Sequence, residues 1–154
     1  SLAGYSDLVL MKPDKSQAII DMKWAGKSHR SKLEKNRHLQ LAIYAELLRQ
    51  STGQWPVLAY FLFSQGKLLT CDDLWFPGTH PVSNRSGENT AQLWQRFLVT
   101  WKWRQEQFAA GRFEVVLDDS DEPDSTAPDD GLPIEALNVA YNECLHLAGW
   151  GERA

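Results

Sequence analysis

Gln17-Ala18-Ile19-Ile20-Asp21-Met22-Lys23-Trp24 is an apolar run that ends in a carboxylate and an ammonium two residues apart. On a strand, residues two apart point to the same face, so Asp21 and Lys23 stand side by side at the rim of a core. An unpaired carboxylate is costly to bury, and Asp21 therefore needs a cation, either Lys23 itself or a metal ion. Immediately upstream, Pro13-Asp14-Lys15-Ser16 is a turn cluster, and residues 5–11 before it are rich in β-formers. Two such runs around a turn predict a β-hairpin. Asp7 lies on the first strand and reaches the Asp21 position if the register allows. Two carboxylates with no thiolate beside them suit Mg²⁺ or Mn²⁺, because hard cations prefer carboxylate, carbonyl and water oxygens.

Downstream, residues 26–31 break the pattern, and Ser31 is followed three residues later by Glu34, the spacing of a capping box. A helix is expected over residues 31–51, with Leu33, Ile43 and Leu47 at helical spacing and Gly53 ending it. Gln40 and Tyr44 fall one turn apart on this helix and share a face. Residues 55–63 read as a buried strand, Ser64-Gln65-Gly66-Lys67 as a hairpin turn, and residues 67–76 as the partner strand. After a loop over 77–87, a second long helix spans 88–111. Its Leu93, Trp94, Phe97, Leu98, Trp101 and Phe108 form a core-packing face, and Gly111 caps it. There is no internal repeat. The expected class is α/β: a mixed central β-sheet flanked by helices.

The chain has 154 residues, 43% of them hydrophobic, with seven tryptophans and six phenylalanines. That is enough for one compact core, and too aromatic for a disordered protein. Domain organisation reads as a core over 1–117, an acidic flexible loop over 118–132, and a helical segment over 133–154 of the same domain. No run approaches the roughly 18 apolar residues of a membrane span, and the first ten residues do not resemble a signal peptide, so a soluble cytoplasmic protein without a membrane partner is expected. Cys71 and Cys144 are far apart, cannot form a cysteine-only zinc or iron–sulfur site, and are expected to be reduced and buried. His29, His38, His80 and His146 show no metal-binding spacing. They read as surface or packing residues, with His29 and His38 close enough to the site in sequence to meet phosphate.

A net charge of -4 argues at first sight against a polyanionic partner. The distribution argues otherwise. Residues 23–38 hold Lys23, Lys27, Arg30, Lys32, Lys35 and Arg37 against the single acid Glu34, whereas residues 118–130 hold seven acids and no base. The positive charge is concentrated beside the Asp21 position.

The series Gly4-Tyr5-Ser6-Asp7, Ile20-Asp21-Met22-Lys23 and Gln40-Leu41-Ala42-Ile43-Tyr44 resembles the G-x-x-D, D-x-K and Q-L-x-x-Y blocks of the PD-(D/E)XK nucleases, RecB-like branch. Ala110-Gly111-Arg112-Phe113 resembles the end of that domain more loosely. The resemblance implies a restriction-endonuclease-like core acting on DNA. It implies that Asp7, Asp21 and the Met22 carbonyl hold Mg²⁺ or Mn²⁺, and that Lys23 orients or activates the attacking water. Gln40 and Tyr44 would support the site or contact DNA, and Lys27, Arg30, Lys35 and Arg37 would hold the phosphate backbone. Relatives of this branch also carry an upstream helix with an acidic residue or a histidine, which nothing here matches. Some bind an iron–sulfur cluster through four cysteines, which this sequence does not provide. The expectation is part of a larger DNA-repair, recombination or phage-defence protein, working with the rest of that protein or a helicase partner. The competing reading is an inactive, nuclease-shaped DNA-binding or protein-docking module.

Overall fold

The computed structural model describes residues 4–24, 26, 28–112 and 128–133. The acidic stretch over 118–127, the expected helix beyond 133, Lys27, Phe113, Cys144 and His146 lie outside the described residues. The chain divides into two compact units, Ser1–Gln95 and Arg96–Ala154.

The first unit is built on a four-stranded mixed sheet. Strand β1 (Leu8–Met11) pairs antiparallel with β2 (Gln17–Lys23), Leu8 opposite Ile20 and Met11 opposite Gln17. The turn between them closes because Lys15 takes a left-handed φ of 68° and the Asp14 carboxylate accepts the Ser16 N–H at 2.9 Å. Two helices then carry the chain across the sheet: α1 (Ser28–Glu34) and α2 (Leu39–Thr52). The next strand, β3 (Val57–Leu62), lies parallel to β2, and β4 (Lys67–Thr70) returns antiparallel to β3. A parallel pair requires such a crossover, which is why a hairpin could not have replaced the helical segment.

The single helix expected over 31–51 is broken in two. Asn36 adopts φ 52°, the Arg37 N–H donates to Lys32 O at 2.7 Å and the Asn36 N–H to Leu33 O at 3.3 Å. This is a Schellman termination with Asn in the left-handed position. Ser31 is accordingly inside α1, and the Ser31/Glu34 spacing marks no helix start. Gly53, at φ 78°, ends α2 as expected, its N–H donating to Arg49 O.

One face of the sheet presents Ile19, Leu58, Tyr60, Leu62 and Leu69 to Leu33 of α1 and Leu41 and Ala45 of α2, with Tyr44, Leu48 and Trp55 packed around them. Ala18, Ile20 and Ala59 are buried on the opposite face. Cys71, just past β4, is exposed rather than buried, because the strand ends at Thr70, shorter than the expected 67–76.

Helix α3 (Thr90–Ala109) is long, and Gly111 terminates it at φ 72° with the Arg112 N–H donating to Gln107 O. Its apolar face is only partly core. Leu93 and Trp94 are buried, whereas Leu98, Trp101 and Phe108 are exposed. In the second unit, Arg96 donates to Gly131 O at 3.0 Å, and the Leu132 N–H donates to the Thr100 hydroxyl at 2.7 Å. Among the described residues no helix is long and apolar enough to cross a membrane.

Candidate nuclease site

Asp21 is 3% exposed, held near the C-terminal end of β2. Strand periodicity puts Lys23 on its face, and the Lys23 Nζ lies 2.8 Å from Asp21 Oδ2. The approach is that of an ion pair without hydrogen-bond geometry, so Oδ2 is buried with a counter-charge but no directed donor. Lys23 extends the network by donating to Gln40 Oε1 at 3.2 Å. Gln40 donates in turn to the Tyr44 hydroxyl at 3.0 Å, the contact that a spacing of four residues on α2 allows.

Asp7 precedes Leu8, the partner of Ile20, and its Oδ2 accepts the Met22 N–H at 2.7 Å. The hairpin therefore delivers a second, exposed carboxylate to the peptide that joins Asp21 to Met22. Gly4 explains itself here. A Cβ at this position would stand 3.0 Å from the Tyr44 ring and 3.8 Å from Leu47, so a residue without one lets the segment before Asp7 lie against α2.

Two further residues belong to this neighbourhood. Tyr60 lies directly beside Asp21 in the parallel register of β2 and β3. Burial, and secondarily the negative charge of Asp21, raise its phenol pKa, so the hydroxyl stays protonated. His29 of α1 packs on Tyr60 with ring centroids 4.6 Å apart and covers Gly26, where a Cβ would collide with the imidazole. Burial lowers the His29 pKa, the Lys32 and Lys23 ammoniums lower it further, and Asp21 opposes them. A neutral imidazole thus stands near the Asp21 and Lys23 pair. Tyr60 gave no signal in the sequence beyond a hydroxyl inside an apolar strand. His29 was visible only by its nearness in sequence.

The remaining expectations divide. Arg30, Lys35 and Arg37 are exposed, and Arg30 stands 4.0 Å from Glu34 one turn on. Lys32 is the basic residue of α1 whose charge is felt at His29. His38 does not face solvent or the site: it is 5% exposed in the unit's interior, where burial lowers its pKa. A cavity of about 270 Å³ lies elsewhere, between Leu33, His38, Leu58 and Thr70, and includes neither Asp7, Asp21 nor Lys23.

Among the described residues no three His, Cys, Asp or Glu side chains group as a metal site. The acidic side chains that the hairpin brings to this strand end are Asp21, buried beside Lys23, and Asp7, which accepts the Met22 N–H, and both offer oxygen donors. Asp21 Oδ2, buried without a hydrogen bond, is the atom a cation would satisfy. This donor set fits a small hard cation.

A mixed sheet crossed by helices, with an aspartate, a lysine and a second aspartate at the end of the strand that enters the crossover, defines a restriction-endonuclease-like α/β core. A profile of the PD-(D/E)XK nuclease superfamily matches residues 1–121, and the chain belongs to that superfamily. No curated protein and no solved structure matches the chain.

Proposed function

We propose that this chain is the core of a divalent-metal-dependent deoxyribonuclease of the RecB-like branch, serving a larger DNA-repair, recombination or phage-defence protein. The observation that carries this reading is the continuous polar chain from buried Asp21 through Lys23 to Gln40 and Tyr44, with Asp7 hydrogen-bonded to the adjoining Met22 amide. A protein that needed only a stable fold would gain little from this. Replacing a buried ion pair with packed apolar residues is often neutral or stabilising.

Asp21, Asp7 and the Met22 carbonyl would hold Mg²⁺ or Mn²⁺, which when bound supplies charge neutralisation at phosphorus and acidifies water. Gln40 fixes the Lys23 ammonium from one side while Asp21 holds it from the other, leaving a positioned donor for the attacking water or a phosphate oxygen. Tyr44 orients the Gln40 amide, and the exposed Arg30, Lys32, Lys35 and Arg37 supply sequence-independent attraction for the backbone.

The test is cleavage of linear single- and double-stranded DNA by the full chain. Cutting is expected with Mg²⁺ or Mn²⁺ and not with Ca²⁺. Asp21→Asn should lose cutting by on the order of 100-fold or more, together with the metal-induced rise in melting temperature. Lys23→Ala should lose cutting and keep DNA binding. Cutting in EDTA, or an Asp21→Asn variant that retains both activity and the metal-induced rise, would reject the mechanism. Salt-sensitive DNA binding without cutting by any form would instead favour the inactive DNA-binding module.

A further inference from the structure

The cavity of about 270 Å³ stands apart from the nuclease site. Val57 and Leu58 line it at the start of β3, whereas Asp21 and Lys23 pair with Tyr60 and Leu62 toward the other end of that strand. Two of its lining side chains are polar and deep in the fold: Asn36, 3% exposed, in the turn between α1 and α2, and His38, 5% exposed, at the start of α2. Each carries a buried atom without a hydrogen bond, Oδ1 of Asn36 and Nδ1 of His38. Such atoms are uncommon in folded proteins, because they give up hydration and gain no partner.

The neighbouring polar groups are already engaged. The Thr70 hydroxyl donates to Leu58 O at 2.9 Å and accepts the Asp72 N–H at 3.1 Å. The Asp72 carboxylate accepts the Trp75 N–H at 2.9 Å, Asn89 Oδ1 accepts the Gln92 N–H at 3.0 Å, and Glu88 also has a partner. The Asn36 amide nitrogen donates to Asn89 O at 3.2 Å, which fixes the orientation of the amide and leaves Oδ1 as a pure acceptor. It calls for an N–H or O–H donor. A neutral imidazole, the form that burial favours for His38, can meet a ligand as donor or acceptor.

Among the described residues no lysine or arginine lines the cavity, so an anion finds no counter-charge there. With the acidic groups engaged, a cation gains little either. Leu33, Val57 and Leu58 supply an apolar wall. Water satisfies the two polar atoms but not that wall, since each molecule takes about 30 Å³ and needs polar partners of its own. An aliphatic amine is protonated near neutral pH. A nitrogen attached to an aromatic ring stays uncharged, and the ring matches the wall.

We propose that this cavity binds a small uncharged aromatic amine, with its N–H donated to Asn36 Oδ1, its ring against Leu33, Val57 and Leu58, and His38 Nδ1 completing the polar end. The site is separate from the metal chemistry, and its test does not pass through DNA cleavage.

Cys71 is exposed and lines the cavity, so the alkylation rate of its thiol reports occupancy. Cys144→Ser leaves Cys71 as the one thiol of the full chain. Alkylation by iodoacetamide is followed in that background against aniline, toluene and benzoate: the ring with a donor, the ring without one, and the ring with a negative charge. Aniline should slow alkylation saturably, with half protection at about 1 mM or below, the range open to a very small ligand. Toluene should need about tenfold more, because it leaves Oδ1 unpaired, and benzoate should not protect. Asn36→Gly keeps the left-handed turn at φ 52° and removes Oδ1, and it should abolish the advantage of aniline over toluene. Melting curves check that the variant is folded; if it is not, the comparison of aniline with toluene on the Cys144→Ser protein still decides. Equal protection by aniline and toluene, protection by benzoate, or an aniline preference retained in Asn36→Gly would each overturn the proposal. So would no protection by aniline up to about 10 mM, which would leave water as the occupant.

Discussion

Replacing Lys23 with Met removes the counter-charge of Asp21 while keeping much of the side-chain volume. The Asp21 side chain is 4% exposed and that of Lys23 27%, and Oδ2 has the ammonium at 2.8 Å but no hydrogen bond. Without Lys23 that oxygen is left with neither. Removing one partner of a buried pair costs about 3–5 kcal/mol, and partial solvent access at Lys23 places this pair at the low end, near 3 kcal/mol. For a unit the size of Ser1–Gln95 that corresponds to a fall in melting temperature of roughly 12–24 °C. The assay is urea denaturation in EDTA of wild type, Lys23→Met, Asp21→Asn and the double variant. The double variant should be more stable than Lys23→Met alone, with a coupling energy of about 2 kcal/mol, because Asn leaves no charge to be stranded. Mg²⁺ at about 100 times its Kd should return about 2.7 kcal/mol to Lys23→Met, if the cation takes over the neutralisation of Asp21. A loss below about 0.5 kcal/mol, or strict additivity in the double variant, would refute the premise that the two side chains depend on each other.

Asn36→Ala should destabilise by about 2 kcal/mol, through the left-handed φ and the lost 3.2 Å bond from its amide to Asn89 O, and Asn36→Gly by about 1 kcal/mol, because glycine tolerates the φ. Urea midpoints check the order, and a larger loss for Gly would remove the backbone argument. Burial keeps His38 neutral in the folded chain, with its pKa lowered, whereas the unfolded chain takes up the proton as pH falls through about 6.5. The unfolded state then binds more protons, so the stability present above that pH is lost as pH falls toward the folded pKa. His38→Gln should shrink the difference in urea midpoint between pH 7.5 and pH 5.5, and an undiminished difference would assign the dependence to other groups.

Much of the candidate site was legible because it rests on short-range geometry. The period of two on a strand puts Asp21 and Lys23 on one face, a spacing of four on α2 brings Gln40 to Tyr44, and the turn residues Pro13 to Ser16 fold Asp7 back toward Met22. Gly53 and Gly111 end their helices by the same local rule, since the left-handed position favours a residue without a Cβ. Each of these features is decided within a few residues of chain, where backbone sterics and side-chain period leave few options.

Contacts between distant residues were not legible in this way. Ser31 and Glu34 carry the spacing of a helix start, yet Asn36, buried and bonded to Asn89 O from 53 residues further along, ends a helix there instead. The parallel pairing of β2 with β3 is what sets Tyr60 beside Asp21, and the packing of α1 is what brings His29 onto Tyr60. Whether an aromatic residue is core or surface is decided in the same way. Trp94 is buried, whereas Trp24 and Trp101 are exposed. Sequence alone determined the local menu of turns, faces and caps. Tertiary structure chose among them, because burial and long-range hydrogen bonds add their energy only after distant segments have met.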